Sequence, residues 1–148
     1  MREEGTIEEV LGRGIKFPNM FSKVTKKTNV IDGVDKINQS INDILSTRKG
    51  SRVLYPEYGS NLHRIVFEPN DEVTEDLINL YTVRALEEWE PRIDIQDVDI
   101  ITPRKNSDLG PHDADIRIAY KITMSNIEEV YVYPLRREGR AIKGSLEE

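Results

Sequence analysis

Trp89-Glu90-Pro91-Arg92 divides this chain into a helical part and an extended part. A residue that precedes proline is pushed out of the α region, so the helix before it must stop at or near Glu90. Pro91 fixes its own φ and removes a backbone donor. A carboxylate and a guanidinium are therefore held on a stiff corner. Arginine's planar fork grips a carboxylate in two places, which suits recognition. No nucleophile or base lies near the corner in sequence, so catalysis suits it less.

Toward the N-terminus the spacing predicts a helix over about 71–89, with Val73, Leu77, Leu80, Tyr81, Leu86 and Trp89 as its apolar stripe. Asn70 or Asp71 can cap it, and Asp71, Glu72 and Glu75 suit the positive end of the helix dipole. Pro69-Asn70 separates it from a brief helix carrying Leu62, Ile65, Val66 and Phe67. An earlier helix spans about 33–48, with Val34, Ile37, Ile41, Ile44 and Leu45 on one face, Asp32 near its start and Gly50 just past its end. Between them 51–55 reads as a short extended piece stopped by Pro56, with a turn at Tyr58-Gly59-Ser60.

Beyond the corner the apolar period changes to two. Ile93 and Ile95 differ in parity from Val98 and Ile100, so a bulge near Gln96-Asp97 would put all four on one face. A polar loop over 102–113 leads to the clearest strand, where Ala114, Ile116, Ile118, Tyr120, Ile122 and Met124 alternate with mostly polar residues. After a turn at Ser125-Asn126 the chain returns over 129–133, with Val130 and Val132 on one side and Tyr131 and Tyr133 on the other. A strand apolar on both faces needs cover on both. The expected fold is a small single α+β domain, two main helices packed on a mostly antiparallel sheet of three to four strands. The expected organisation is an N-terminal arm over 1–30, docked through Phe17, Pro18, Met20 and Phe21 or frayed, the α+β domain over 31–135 and a charged tail over 136–148. Such an open sheet has edges that are either blunted or offered to a partner strand. The tyrosines of the last strand favour the second use; the alternative is that they pack on the arm.

Composition bounds the function. A chain of 148 residues is most simply one domain. Charged residues make up 32% and the net charge is −6, an acidic balance that argues against nonspecific nucleic-acid binding. Cysteine is absent, which excludes disulfides and thiolate metal sites. No apolar run approaches the ~20 residues of a membrane helix, and the N-terminus lacks a signal-peptide stretch.

Catalytic constellations are weak. Glu57, Glu68 and Glu90 lie near prolines or turns, and their ordinary roles are capping, pairing with arginine or facing solvent. His112, among Asp108, Asp113 and Asp115, matches no standard ligand spacing and reads as part of a polar hairpin loop; His63 is the other histidine. Gly12-Arg13-Gly14 is too short to cradle a phosphate, and Lys49-Gly50-Ser51 inverts the order of a P-loop. The expectation is no catalytic residue, no metal and no cofactor.

Several motifs now stand in order: Gly14-Ile15-Lys16-Phe17-Pro18, Ile37-Asn38-Gln39-Ser40-Ile41, Ile44-Leu45-Ser46-Thr47, Gly50-Ser51-Arg52, Tyr55-Pro56-Glu57-Tyr58-Gly59-Ser60, Phe67-Glu68-Pro69 and Trp89-Glu90-Pro91-Arg92. As an ordered set over about residues 12–101 they resemble the GPW-type baseplate wedge family of contractile phage tails, also called lysozyme-like wedge proteins or sheath initiators. The resemblance implies a structural protein of the inner baseplate in a phage or phage-tail-like particle, assembled in the host cytoplasm and present in six-fold array. Its implied partners are the other wedge proteins, the sheath subunit, and tube or hub proteins, with neither nucleic acid nor membrane among them. The corner is the family signature, so the resemblance gives Trp89, Glu90, Pro91 and Arg92 the task of gripping the wedge helical bundle. The alternative for Glu90 and Arg92 is an internal salt bridge that orders the helix–strand junction. The sheet would lend an edge to an arm of the first sheath ring, with Ile118, Tyr120, Tyr131 and Tyr133 as candidate residues. Gly50, Arg52, Tyr55 and Gly59 are expected to shape turns. A lysozyme-like wall hydrolase and a small protein-binding adaptor are the competing functions.

Overall fold

A computed structural model describes residues 11–17, 20, 22–24, 26–28, 30–65, 67–110 and 113–136. Two short strands, β1 (Arg13–Ile15) and β2 (Val30–Asp32), pair antiparallel and lead into helix α1 (Gly33–Ser46). A 3-10 turn (Leu62–Ile65) and helix α2 (Glu72–Trp89) follow, then strands β3 (Ile93–Ile101), β4 (Ala114–Ile122) and β5 (Glu128–Leu135). These last three form one antiparallel sheet in the order β3-β4-β5. Two helices on a three-stranded sheet are the α+β layer arrangement expected from the sequence.

Burial follows the periodicities. In α1, Ile37, Ile41, Ile44 and Leu45 are buried at the predicted spacing. Gly50 beyond its end has φ of +87°, a left-handed value. In β4, Ala114, Ile116, Ile118, Tyr120 and Ile122 are all buried. The β3 register shifts between Ile95 and Asp97, where the change of parity requires a bulge. Asn126, at φ +55°, sits in the turn between β4 and β5, and its N–H donates to the Ile122 carbonyl at 2.9 Å.

Four expectations are corrected. The buried face of α2 carries Thr74, Ile78, Thr82, Ala85 and Leu86, whereas Val73 and Leu80 are 67% and 41% exposed. The helix has apolar residues on two faces, and the buried one includes threonines that an apolar count passes over. Residues 51–55 form no strand; they lie in a loop with Val53, Leu54 and Tyr55 exposed. Met124 lies past the end of β4 and is exposed. Tyr131 and Tyr133 pack against the core that α1 helps to build, which also includes Leu11. Phe17 and Met20 are exposed, and Leu11 is the buried apolar residue of that segment among those described; Pro18 and Phe21 lie outside the described residues.

Candidate functional site

The corner is built by three elements meeting. The α2 stripe ends where Pro91 forbids another turn, and the Glu90 N–H closes the helix on the Leu86 carbonyl at 2.9 Å. Glu90 is only 2% exposed. Its carboxylate accepts two bonds from Arg92, Nε to Oε1 at 2.6 Å and Nη2 to Oε2 at 2.7 Å. Ser40 of α1 also bonds it. Arg92 Nη1 donates to the Leu11 carbonyl at 3.1 Å, and the Arg92 carbonyl accepts from the Thr123 N–H at 3.0 Å. Burial alone would raise the Glu90 pKa. The bonds from Arg92 and Ser40, with the Arg92 charge, outweigh it and hold the carboxyl below the usual range. The same pairing raises Arg92.

This is the internal-pair arrangement. Glu90 has no surface for a partner; Pro91 is exposed and Arg92 about one-third exposed. Trp89 is half-buried and meets Tyr58 edge-on, with ring centroids 5.1 Å apart. Arg52 stacks on the Tyr58 ring at 4.1 Å. These contacts fasten the loop over 47–60 to the corner. The loop closes at its root, where the Ser60 N–H donates to the Thr47 carbonyl at 2.9 Å and the Lys49 N–H to the Ser60 carbonyl at 3.2 Å. Gly59, at φ +112°, leaves no room for a side chain, because a Cβ would run into the Thr47 carbonyl. Of the four expected turn-shaping residues, Tyr55 differs: its carbonyl takes part, accepting from the Tyr58 N–H at 3.1 Å, but its side chain is 63% exposed.

The two sheet edges differ. The Ile122 N–H donates to the Ile127 carbonyl at 2.8 Å. Antiparallel bonding alternates, so Tyr120, Ile118 and Ile116 turn their backbone groups toward β5, and Glu129, Tyr131 and Tyr133 answer them. Glu128, Val130 and Val132 therefore turn theirs outward, and no described residue bonds them. The same alternation turns Val98 and Ile100 outward on β3. There Asn79 Nδ2 covers the Val98 carbonyl at 3.1 Å and Lys105 Nζ the Ile100 carbonyl at 2.6 Å. Side chains thus cover two outward carbonyls of the β3 edge, and none among the described residues covers those of the β5 edge. Ile118 and Tyr120 belong to the central strand and cannot form an edge. The Tyr120 hydroxyl donates to Asn38 Oδ1 at 2.7 Å, and burial raises the Tyr120, Tyr131 and Tyr133 pKa values, so all three stay neutral.

Sequence reasoning placed Ser40 and Tyr58 in motifs without a role at the corner and missed Asn79 and Lys105, because these contacts join elements distant in the chain. Of the other candidate acids, Glu57 and Glu68 lie on the surface, and Glu57 pairs with Lys49 at 3.4 Å. His112 lies outside the described residues.

Fold and geometry together define a small α+β scaffold whose two sheet edges differ in side-chain cover. The chain belongs to the baseplate wedge protein gp25 family, whose model matches residues 32–127. Baseplate protein W of Escherichia phage P2 is 37% identical over 68 residues, 46% of this chain and 59% of that protein. Baseplate wedge protein gp25 of Enterobacteria phage T4 is 38% identical over 69 residues, 47% of this chain and 52% of that protein. The chain thus spans little more than half the length of the curated relatives it matches. The crystal structure of a putative tail lysozyme from Geobacter sulfurreducens is similar at a TM-score of 0.62 and 33% identity, over 72% of this chain and 93% of that one.

Proposed function

We propose that this chain is a structural component of a contractile-tail baseplate, an inner-wedge protein that joins the wedge to the first sheath ring. Its corner end meets the other wedge proteins. Its β5 edge accepts an extended arm of a sheath subunit and so starts sheath assembly. Six copies per particle serve six sheath subunits, close to the tube or hub.

The observation that carries this reading is the asymmetry of the edges. Val98 and Ile100 have their outward carbonyls covered, while Glu128, Val130 and Val132 present outward N–H and C=O groups with no partner among the described residues. Natural sheets blunt the edges they do not use. An added strand gains affinity from main-chain bonds and register from alternate side chains. Pro134 has no N–H, so the bare ladder runs from Glu128 to Val132 and then loses a donor.

Val132→Pro tests it. The change removes an outward N–H and leaves the β4 ladder intact. The expected result is a folded monomer that joins wedges but does not seed sheath polymerisation. Sheath growth at the wild-type rate on wedges carrying this variant would refute the edge.

Hydrolysis is not part of this reading. A general acid needs a raised pKa and access to substrate, and Glu90, the only buried carboxylate among the described residues, is held ionised against Arg92. Clearing of peptidoglycan by the pure protein would support the wall-hydrolase alternative instead.

A further inference from the structure

The corner poses a question of chemistry. Both oxygens of Glu90 and three nitrogens of Arg92 are bonded within the chain. Another group at that end must supply contact area to a wedge partner. The loop over 47–60, fastened to Trp89 through Tyr58, has it. At its tip Val53, Leu54 and Tyr55 are 96%, 87% and 63% exposed. Single exposed apolar side chains are ordinary; three in succession on a braced loop mark an interaction surface.

The loop is braced rather than loose. Beside the root bonds, the Gly50 N–H donates to the Pro56 carbonyl at 2.6 Å and the Ser51 N–H to the Arg48 carbonyl at 3.1 Å. Ser60 Oγ donates to the Leu45 carbonyl at 2.9 Å from a buried position. Little conformational entropy remains to be lost on docking, which favours affinity.

Charge selects the partner. Residues 48–64 carry Arg48, Lys49, Arg52 and Arg64 against Glu57 alone, four cations less one carboxylate, or +3, in a chain of net charge −6. Arg48 and Arg64 both bear on His63 from the adjoining 3-10 turn. The exposed apolar tip thus belongs to a cationic stretch of an otherwise acidic protein. Glu57 in the same stretch is 74% exposed, which opposes an anionic bilayer and is tolerated by a protein with its own mixed charges.

We infer that Val53, Leu54 and Tyr55 are the apolar anchor by which the chain docks into a carboxylate-rimmed apolar groove on an adjoining wedge protein. The inference rests on the wedge reading above and names the chemistry of that contact. Anchors of this kind dominate binding energy when a pocket desolvates them, while charges at the rim act mainly on rate and partner choice.

The test uses the full chain and the purified wedge proteins of the same particle, with binding followed by calorimetry and size-exclusion chromatography. Leu54→Asp leaves the fold intact, since the side chain is in water, and its circular dichroism and melting temperature should match the wild type. Its affinity for the wedge should fall by about thirty-fold or more. Leu54→Met should bind as the wild type does, and Arg48→Glu should slow association and weaken its salt dependence. Wild-type affinity in Leu54→Asp overturns the anchor and leaves the wedge reading standing. Failure of the wild-type chain to bind any wedge protein overturns both. Binding of the wild type, but not Leu54→Asp, to phosphatidylglycerol vesicles in place of the wedge proteins overturns the choice of a protein partner.

Discussion

Arg92 holds in place Glu90, the one buried charged side chain among the described residues. Removing one partner of a buried ion pair leaves the other uncompensated, so Arg92→Ala should lower unfolding free energy in urea by about 3 kcal/mol. The pH dependence gives a sharper sign. Glu90 is depressed below its ordinary 4.5. Its contribution is fully present above that pH and is lost as pH falls through the folded-state value. Without the Arg92 guanidinium, burial is opposed only by the Ser40 bond and the backbone N–H of residue 92, so the carboxyl rises and the variant should lose less stability on acidification than the wild type. Parallel urea titrations from pH 7 to pH 3.5 measure the two slopes; equal slopes would mean that Arg92 does not control Glu90. Arg92→Glu would set two carboxylates against each other at the corner. It should destabilise the monomer, so a loss of assembly in that variant says nothing about grip. Which part of this was legible? Pro91 revealed where the helix stops, because its restriction is local. That Glu90 folds inward onto Arg92 depends on Ser40 and Leu11, which only the fold brings there.

At the scale of elements, the 47–60 loop and the edge strand obey different rules. Gly59→Ala combines a left-handed φ with a collision on the Thr47 carbonyl. A cost of about 1–3 kcal/mol follows, readable as a drop in melting temperature. Proline placements separate the strands: Ile118→Pro breaks the central ladder and should prevent folding, whereas Val132→Pro should fold. Circular dichroism of the two proteins decides it; equal loss of structure in both would mean that β5 is not an edge. The β4 alternation and the β3 bulge were readable because a period of two assigns faces directly. The α2 stripe misled. With apolar residues on two faces, periodicity offers two candidate core sides, and the neighbours α2 packs against choose Thr74, Ile78 and Thr82 over Val73 and Leu80.

The whole molecule is a two-layer wedge with unlike sheet edges, and its binding should be one-sided. Hydrogen exchange on wedges carrying a first sheath ring should show protection gained at the amides of Glu128, Val130 and Val132, with the β3 amides unchanged. Protection spread equally over both edges would contradict a single acceptor strand. The amino-acid sequence by itself determined the two main helices, the three strands of the main sheet, the break at Pro91 and the family, since each follows from local period, backbone restriction or an ordered run of motifs. Tertiary structure alone decided which strand is central, which edge Asn79 and Lys105 cover, and where the corner charges point. Those outcomes depend on contacts between residues far apart in the chain, and no local pattern encodes them.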